Sequence, residues 1–359
     1  MSEDSLERHG GVLAAPPRPR WRTVLSVVAA LHAVAMIAVV AVMATHHANA
    51  VSCQAMTLPD GSAQAWAVAF SPHGRTLATV GADSSTYLWD AAPGGRPATL
   101  SSPVPVPGAY GMSAAFSPDG RMLATADDSG RAYLWDVTTR QLIATLAIPG
   151  GGASGSVAFG PDGRTLAVGG INGDVYLWDV TTRQLIATLS DPSSYPGMSA
   201  AFSPDGRMLA TENDAGRAYL WDVATRSLIA TLANPGGEGA SWVAFSPDGR
   251  TLAVGGNLGD VSLWDVTTVR VIATLSASGS VTSVAFSPDG RMLAAGYQFG
   301  GVYVWDVATG HQVGAFTDPD DLGIASVVFS PDSRTLAAGD DVGDHAYFCR
   351  VSEGRRGQG

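Results

Sequence analysis

The chain has 359 residues and a formal net charge of −11, and only 15% of its residues are charged. With 32 acidic residues against 21 basic ones, the overall charge argues against a nucleic-acid partner. Glycine (43) and proline (21) are abundant, which favours a fold with many tight turns over a helical one.

The first apolar segment of the chain is predicted to be a membrane anchor. Residues 24–44 form a run of 21 residues without a charged side chain, long enough to cross about 30 Å of hydrocarbon as a helix. Arg18, Arg20 and Arg22 stand just before this run. The positive-inside rule therefore predicts a cytoplasmic N-terminus and places the rest of the chain outside the cytoplasm.

Two other interpretations of the N-terminal segment stay open. Ala48-Asn49-Ala50 has the form of a signal-peptidase site, and cleavage there would give a secreted protein, although the apolar run is longer than a typical signal. The tetrapeptide ending in Cys53 weakly resembles a lipobox but lacks its leucine. All three interpretations export the remainder of the chain.

A unit of about 43 residues repeats seven times after the apolar segment. The second copy contains the recurring stretch FSPDGRMLATADDSGRAYLWDVTTRQLIATL, residues 116–146. A Trp-Asp pair recurs in six copies, and a turn of the form Ser-Pro-Asp-Gly recurs in all seven with small changes. Repeats of this length are typical of blades, solenoids or arrays. The tryptophans of the six pairs are Trp89, Trp135, Trp178, Trp221, Trp264 and Trp305.

Each copy is predicted to form four short strands separated by turns. In the second copy the strands are expected at Met112–Phe116, Met122–Ala126, Ala132–Val137 and Leu142–Leu146. Proline presets φ and glycine supplies positive φ, so Pro-Asp-Gly predicts a tight turn between the first two strands. A single four-stranded sheet cannot bury both of its faces, whereas seven sheets around one axis can.

The six Trp-Asp pairs in register, with the Ser-Pro-Asp-Gly turns and Leu123-Ala124 opening the second strand, resemble the WD-repeat β-propeller family. The resemblance covers residues 53–351 and implies an all-β, seven-bladed propeller of four-stranded antiparallel blades. The seventh copy departs from it, because it reads Tyr347-Phe348-Cys349-Arg350 where Trp-Asp is expected. The Gly-His pair that usually precedes the first strand is also missing. The complete predicted organisation is a disordered cytoplasmic tail (1–23), a transmembrane helix (24–44), a linker (45–52), the propeller (53–351) and a disordered tail (352–359).

The seventh copy ends before a fourth strand, so that strand must come from elsewhere in the chain. The segment Cys53–Leu58, CQAMTL, is similar to the fourth-strand segment QLIATL of other copies. We expect it to pair beside His345–Val351 and to close the ring. Cys53 and Cys349, the two cysteines of the chain, then lie on neighbouring strands, and in an oxidising compartment a disulfide between them is predicted. Two unpaired thiols are the alternative.

No residue pattern typical of a catalytic site is present: the chain lacks GxSxG, HExxH, Walker A and CxxC motifs. The prediction is therefore a non-enzyme without a cofactor or metal. The acid-rich segments 318–321 and 340–344 do not match the EF-hand ligand order and are interpreted as solvated loops, with calcium binding left open. The aspartates of the Trp-Asp pairs and the arginines of the Pro-Asp-Gly-Arg turns are expected to form structural ion pairs.

Acidic and aromatic residues are predicted to form a binding rim on one face of the propeller. The chain direction puts the Ser-Pro-Asp-Gly turns on one face and the turns between the second and third strands on the other. On this second face acids concentrate, opposed by Arg131 and Arg217 alone. A cationic protein or peptide would be steered by the charge and anchored by the aromatic rings, and Ca²⁺ is a further candidate ligand. The alternative is a solvated acidic surface that only keeps the protein soluble. The candidate rim residues are Asp127, Asp128, Asp214, Asp320, Asp321, Asp340, Asp341, Tyr110, Tyr195, Tyr297 and Phe299.

The sequence favours a membrane-anchored, extracytoplasmic interaction platform. It is similar to the WD-repeat portions that some bacterial Ser/Thr kinases carry outside the membrane, and the lack of lysine beside abundant alanine and glycine suggests a bacterial source. One alternative is an extracytoplasmic enzyme or cofactor-binding propeller with a site in the central channel. The other is a structural unit that associates with copies of itself.

Overall fold

The structure is a computed structural model, and its regular elements are all β-strands. It describes residues 52–57, 65–81, 85–91, 98–100, 111–149, 153–170, 172–193, 197, 199–213, 215–233, 240–299, 301–317, 323–340 and 345–351. The predicted membrane helix, residues 24–44, and both predicted tails lie outside these ranges. Within them no helix is long and apolar enough to cross a membrane.

Twenty-eight strands form seven antiparallel sheets of four strands each within the described residues, which confirms the predicted seven-bladed propeller. The observed bounds differ from the predicted ones by one residue at some strand ends. In chain order the strands are β1 (Ser52–Thr57), β2 (Ala65–Phe70), β3 (Thr76–Gly81), β4 (Thr86–Asp90), β5 (Ala98–Leu100), β6 (Gly111–Phe116), β7 (Met122–Asp127), β8 (Arg131–Asp136), β9 (Leu142–Ala147), β10 (Ser154–Phe159), β11 (Thr165–Gly170), β12 (Val175–Asp179), β13 (Gln184–Leu189), β14 (Ala200–Phe202), β15 (Met208–Asn213), β16 (Arg217–Asp222), β17 (Ser227–Ala233), β18 (Ala240–Phe245), β19 (Thr251–Gly256), β20 (Asp260–Asp265), β21 (Arg270–Ser276), β22 (Val281–Phe286), β23 (Met292–Tyr297), β24 (Gly301–Asp306), β25 (Gln312–Phe316), β26 (Ile324–Phe329), β27 (Thr335–Asp340) and β28 (His345–Arg350).

Blades 1 to 6 each use four consecutive strands, from β2–β5 in blade 1 to β22–β25 in blade 6. Blade 7 has the order β1-β28-β27-β26, so the N-terminal strand β1 supplies its fourth strand. The register pairs Cys53 with Cys349 and Thr57 with His345. The predicted ring closure is therefore confirmed, and it leaves blade 7 with the same number of strands as the others.

The hydrophobic core lies between blades rather than within them. Among the described residues, each pair of neighbouring blades shares one cluster of buried side chains, seven in all. Between blades 1 and 2, Leu88 and Leu100 of the first blade pack with Tyr133 and Trp135 of the second. The tryptophan of each Trp-Asp pair thus packs against the preceding blade. One sheet therefore needs its neighbours to bury its apolar face.

The outer strand of a blade carries a β-bulge beside the tryptophan. In blade 5, Leu263 pairs with Ala273 and Trp264 with Val271, which leaves Ile272 as the extra residue. The same irregularity occurs in blades 2, 3, 4 and 6. Bulges bend an edge strand and disfavour further pairing along it. They also turn isoleucines outward, since Ile229 is 50% exposed and Ile272 is 59% exposed.

Candidate functional site

The antiparallel order of strands divides the turns between two faces of the propeller. The face that carries the turns after the first and third strands of each blade is called the lower face. The upper face carries the turns after the second strand and the connections between blades. The predicted rim belongs to the upper face.

On the lower face, the Ser-Pro-Asp-Gly turns satisfy their own polar groups. In blade 2 the Ser117 hydroxyl donates to Asp119 Oδ1 (2.6 Å) and accepts the Met122 N–H (2.9 Å), while Asp119 also accepts the Arg121 N–H (3.0 Å). The bond from Ser117 is the main cause that lowers the pKa of Asp119. The carboxylates of these turns are therefore structural, and the same arrangement recurs around the ring.

The glycine of each turn lies against the proline of the preceding blade. Gly120 has φ +69°, and a β-carbon added there would lie 3.4 Å from Pro72 Cδ. The equivalent position in blade 7 is Ser333, which keeps the positive φ (61°) and whose hydroxyl accepts the Asp289 N–H of blade 6 (3.2 Å). These contacts join neighbouring blades on the lower face.

The aspartates of the Trp-Asp pairs cap the turn that follows them. Asp136 Oδ1 accepts the Thr139 N–H (2.7 Å), and this bond lowers the pKa of Asp136. The sequence predicted ion pairs between these aspartates and the turn arginines, and blade 3 has one, in which Arg164 lies 3.7 Å from Asp179. Arg121 instead lies 4.0 Å from Asp119 of its own turn. The predicted ion pair is therefore confirmed in blade 3, whereas in blade 2 a backbone amide engages the Asp136 carboxylate.

Asp127, predicted to be part of the exposed rim, is buried at 2% exposure. Its Oδ2 accepts the Tyr133 hydroxyl (2.8 Å), and its Oδ1 accepts the hydroxyl and N–H of Ser129 (2.6 and 3.0 Å). The carboxylate therefore closes the turn between β7 and β8. Asp340 holds the equivalent position in blade 7 and is also fully buried. The structure corrects the prediction for both residues, since a buried carboxylate cannot contact a partner.

Tyr297 was also predicted to be part of the exposed rim, and that prediction is wrong. Its side chain is fully buried, its hydroxyl donates to the Gly259 carbonyl of blade 5 (3.0 Å), and its ring packs edge-on against Tyr303 at 5.2 Å. Burial raises the pKa of Tyr297, with the nearby phenol of Tyr303 and the carboxylate of Asp260 adding to the effect. Tyr297 thus joins blades 5 and 6 and is not available to a ligand.

The remaining predicted rim residues divide into two groups. Asp128 is partly exposed and Phe299 is 66% exposed, so both are accessible on the upper face. The others lie outside the described residues, namely Asp214, Asp320, Asp321, Asp341, Tyr110 and Tyr195.

Blade 4 contains a buried polar network that the acidic pattern did not reveal. Asp191 accepts the Asn213 amide (2.6 Å) and the hydroxyl and N–H of Ser193 (both 2.7 Å), and Asn213 also donates to the Tyr219 hydroxyl (3.2 Å). Burial alone would raise the pKa of Asp191, but these hydrogen bonds outweigh it and lower the pKa. The network ties the connection after β13 to strands β15 and β16.

Leu258 is an exposed upper-face residue that the sequence analysis missed, and it is 69% exposed. It occupies the same turn position as Ser129 in blade 2, Ala215 in blade 4 and Phe299 in blade 6. Comparison of this one position between repeats would have singled out both apolar residues.

The first strands of the blades surround a central channel of about 360 Å³. Its described lining consists mainly of Ser, Ala and Val with Trp66 and Trp242. Several serines are already engaged between blades: Ser113 Oγ accepts the Val157 N–H (3.1 Å), and Ser283 Oγ accepts the Val327 N–H (3.1 Å). The described residues contain no group of His, Cys, Asp and Glu side chains suited to hold a metal ion.

The two cysteines are joined where the ring closes. Cys53 on β1 and Cys349 on β28 are bonded through their sulfur atoms at 2.01 Å, across 296 positions of sequence. Cys349 takes the position that tryptophan holds in the other blades and is fully buried in the cluster between blades 6 and 7. The bond thus links the first and last strands of the propeller.

Comparison with protein families agrees with this architecture. The family described as WD domain, G-beta repeat matches residues 52–90, 108–136 and 143–179. The Vps8 beta-propeller family matches residues 270–351, and the family described as Eukaryotic translation initiation factor eIF2A matches residues 217–297. None of the curated proteins compared with the chain matches it. Propellers of WD40 repeats are generally protein-interaction scaffolds and are typically not catalytic. The chain carries WD40 repeats folded into a seven-bladed β-propeller.

Proposed function

We propose that this chain is a membrane-anchored bacterial propeller that binds a protein or peptide outside the cytoplasm through its upper face. The observation that carries the proposal is the difference between the two faces. On the lower face, the turn carboxylates are engaged in capping their own turns. On the upper face, Asp128, Leu258 and Phe299 present accessible carboxylate and apolar groups.

The Cys53–Cys349 bond supports the extracytoplasmic location. Structural disulfides form and persist in oxidising compartments and are rare where thiols are kept reduced. The apolar residues 24–44, preceded by Arg18, Arg20 and Arg22, support an anchor with the N-terminus inside. Secretion after cleavage near Ala50 would give the same location without the anchor.

The experiment is crosslinking of the full-length chain in its native membranes, followed by mass spectrometry. Asp128→Asn with Phe299→Ser changes two upper-face side chains that are not themselves buried. Arg121→Gln with Arg207→Gln alters two arginines of the lower face that are 85% exposed and serves as the matched control. We expect partners to be lost with the first pair and kept with the second. Partners lost only with the lower-face pair would refute the assignment of the face.

Self-association is a second candidate function, favoured by the exposed isoleucines of the outer strands. Ile229 and Ile272 stand at equivalent bulges of neighbouring blades, so they offer the same apolar group twice. Light scattering with size exclusion decides between the two. A monomer that still captures partners supports the interaction platform, whereas a stable oligomer dispersed by Ile229→Ser and Ile272→Ser supports self-association.

A further inference from the structure

We propose that Leu258, Phe299 and Asp260 form the specific docking point of the upper face, for a peptide segment that carries an apolar side chain next to Arg or Lys. This inference rests on the proposed function and names the site and chemistry of its partner. Leu258 and Phe299 have the highest exposure of the large hydrophobic side chains in the described residues, at 69% and 66%. They hold the same turn position in two adjacent blades.

One backbone and one side-chain hydrogen bond bring the two turns together. The connection between β21 and β22 lies between them, because Ser280 O accepts the Gln298 N–H (2.9 Å) and Ser280 Oγ donates to Asn257 Oδ1 (3.4 Å). Gly279 is closely enclosed: a β-carbon added there would lie 2.8 Å from the Phe299 carbonyl oxygen. Loops tied in this way present their side chains with little ordering cost on binding.

The buried Tyr297 supports the same surface from below. Its hydroxyl donates to the carbonyl of Gly259, the residue after Leu258, and its own position is two residues before Phe299. One buried side chain therefore links the turn of Leu258 to the turn of Phe299. The exposed apolar pair thus lies next to a buried hydrogen bond between the two blades, which holds the two turns together as an anchoring site for a partner side chain requires.

The charge of this surface selects the partner. Among the described residues of blades 5 and 6 (240–299 and 301–317), Asp260 carries the one charge on the upper face, two residues after Leu258. The other charged side chains of these blades lie in turns or strand ends of the lower face, namely Asp248, Arg250, Asp265, Arg270, Asp289, Arg291 and Asp306. An apolar pair beside an unopposed carboxylate complements a peptide with an apolar and a cationic side chain.

The test uses the full-length chain and an array of 12-residue Gly/Ser peptides that carry every pair of central residues. We expect binding to peptides that combine Leu, Ile, Phe, Met or Trp with Arg or Lys, and weakening of that binding as salt rises. Leu258→Ser and Phe299→Ser introduce the residue that blade 2 uses at this turn, and each should weaken binding about tenfold. Asp260→Asn should remove most of the salt dependence and the preference for Arg or Lys.

Ile272→Ser is the matched control, because it removes an apolar side chain of similar exposure from the outer edge of blade 5. Binding should be unchanged in this variant. Selection of acidic peptides, or equal binding by the Leu258→Ser/Phe299→Ser variant, would overturn the inference. If native partners in membranes are still lost with upper-face variants in that case, the proposed function survives and only the docking point is wrong.

Discussion

The indole Nε1 of Trp135 donates a hydrogen bond to Thr125 Oγ1 across 3.0 Å in the core between blades 1 and 2. The same pair recurs as Trp89 with Thr79 (2.8 Å) and as Trp221 with Thr211 (2.9 Å). Blades 3 and 5 carry valine in place of the threonine. There, the buried Nε1 atoms of Trp178 and Trp264 lack a hydrogen-bond partner among the described residues.

This difference between blades predicts opposite effects of two nearly isosteric substitutions. Thr125→Val leaves the Trp135 N–H unpaired and should lower the free energy of unfolding by about 1–3 kcal/mol. Val168→Thr in blade 3 supplies the missing acceptor to Trp178 and should raise it by about 1 kcal/mol. Urea unfolding of each variant measures both changes.

Val175→Thr is the control for the gain in blade 3. This substitution also adds a hydroxyl at a buried valine of blade 3. Its position is not the one from which threonine accepts the indole N–H in blades 1, 2 and 4. We expect it to destabilise, because a buried hydroxyl without a partner is costly. Equal destabilisation by Val168→Thr would contradict the account of Trp178.

The bond between Cys53 and Cys349 predicts that the unfolded, unreduced chain exposes no reactive thiol. Replacing both cysteines with serine should lower the free energy of unfolding by up to about 5 kcal/mol, since the bond closes a very long loop in the unfolded chain. Thiol labelling in denaturant with mass detection is the measurement. Two labelled thiols per chain would refute the bond.

The lowered pKa of Asp191 predicts loss of stability in acid. Its pKa is held below the usual 3.8 in the folded chain, so its contribution is complete above that value and is lost as the pH falls through the folded pKa. Asp191→Asn should therefore flatten the stability profile below about pH 4. Ser193→Ala removes one donor and should give an intermediate profile. A wild-type profile in both variants would exclude this role.

The arginines before residue 24 predict the orientation of the chain. A reporter fused after Gly359 should be active only if it is of the kind that works outside the cytoplasm. Replacing Arg18, Arg20 and Arg22 with glutamine should reduce the fraction of chains that have this orientation, because the charge difference across the apolar run disappears. Activity of a cytoplasmic reporter in the unchanged chain would reverse the predicted topology.

Much of the fold could be predicted because a repeated sequence reports the same local structure several times. The Pro-Asp-Gly turns and the Trp-Asp pairs mark strand ends in each copy, so errors in one copy are corrected by the others. The seventh copy lacks a fourth strand of its own, and the segment CQAMTL is similar to the fourth strands of other copies. These two features of the sequence identified β1 as the closing strand. The binding rim was predicted less well, since charge in a turn does not state whether the side chain points outward.

The sequence by itself determined the number of blades, the order of strands and the strand that closes the ring, because these follow from periodicity and from the chain length between turns. Only the tertiary structure decided which upper-face residues meet solvent. Asp127 turns inward because Tyr133 and Ser129 donate to its carboxylate, and Tyr297 is covered because its hydroxyl reaches a carbonyl in the neighbouring blade. Leu258 and Phe299 are exposed, and the Phe299 backbone lies against Gly279, where an added β-carbon would be 2.8 Å from its carbonyl oxygen. Exposure depends on three-dimensional contacts, within one blade for Asp127 and between two blades for Tyr297, and the repeat pattern does not specify these contacts.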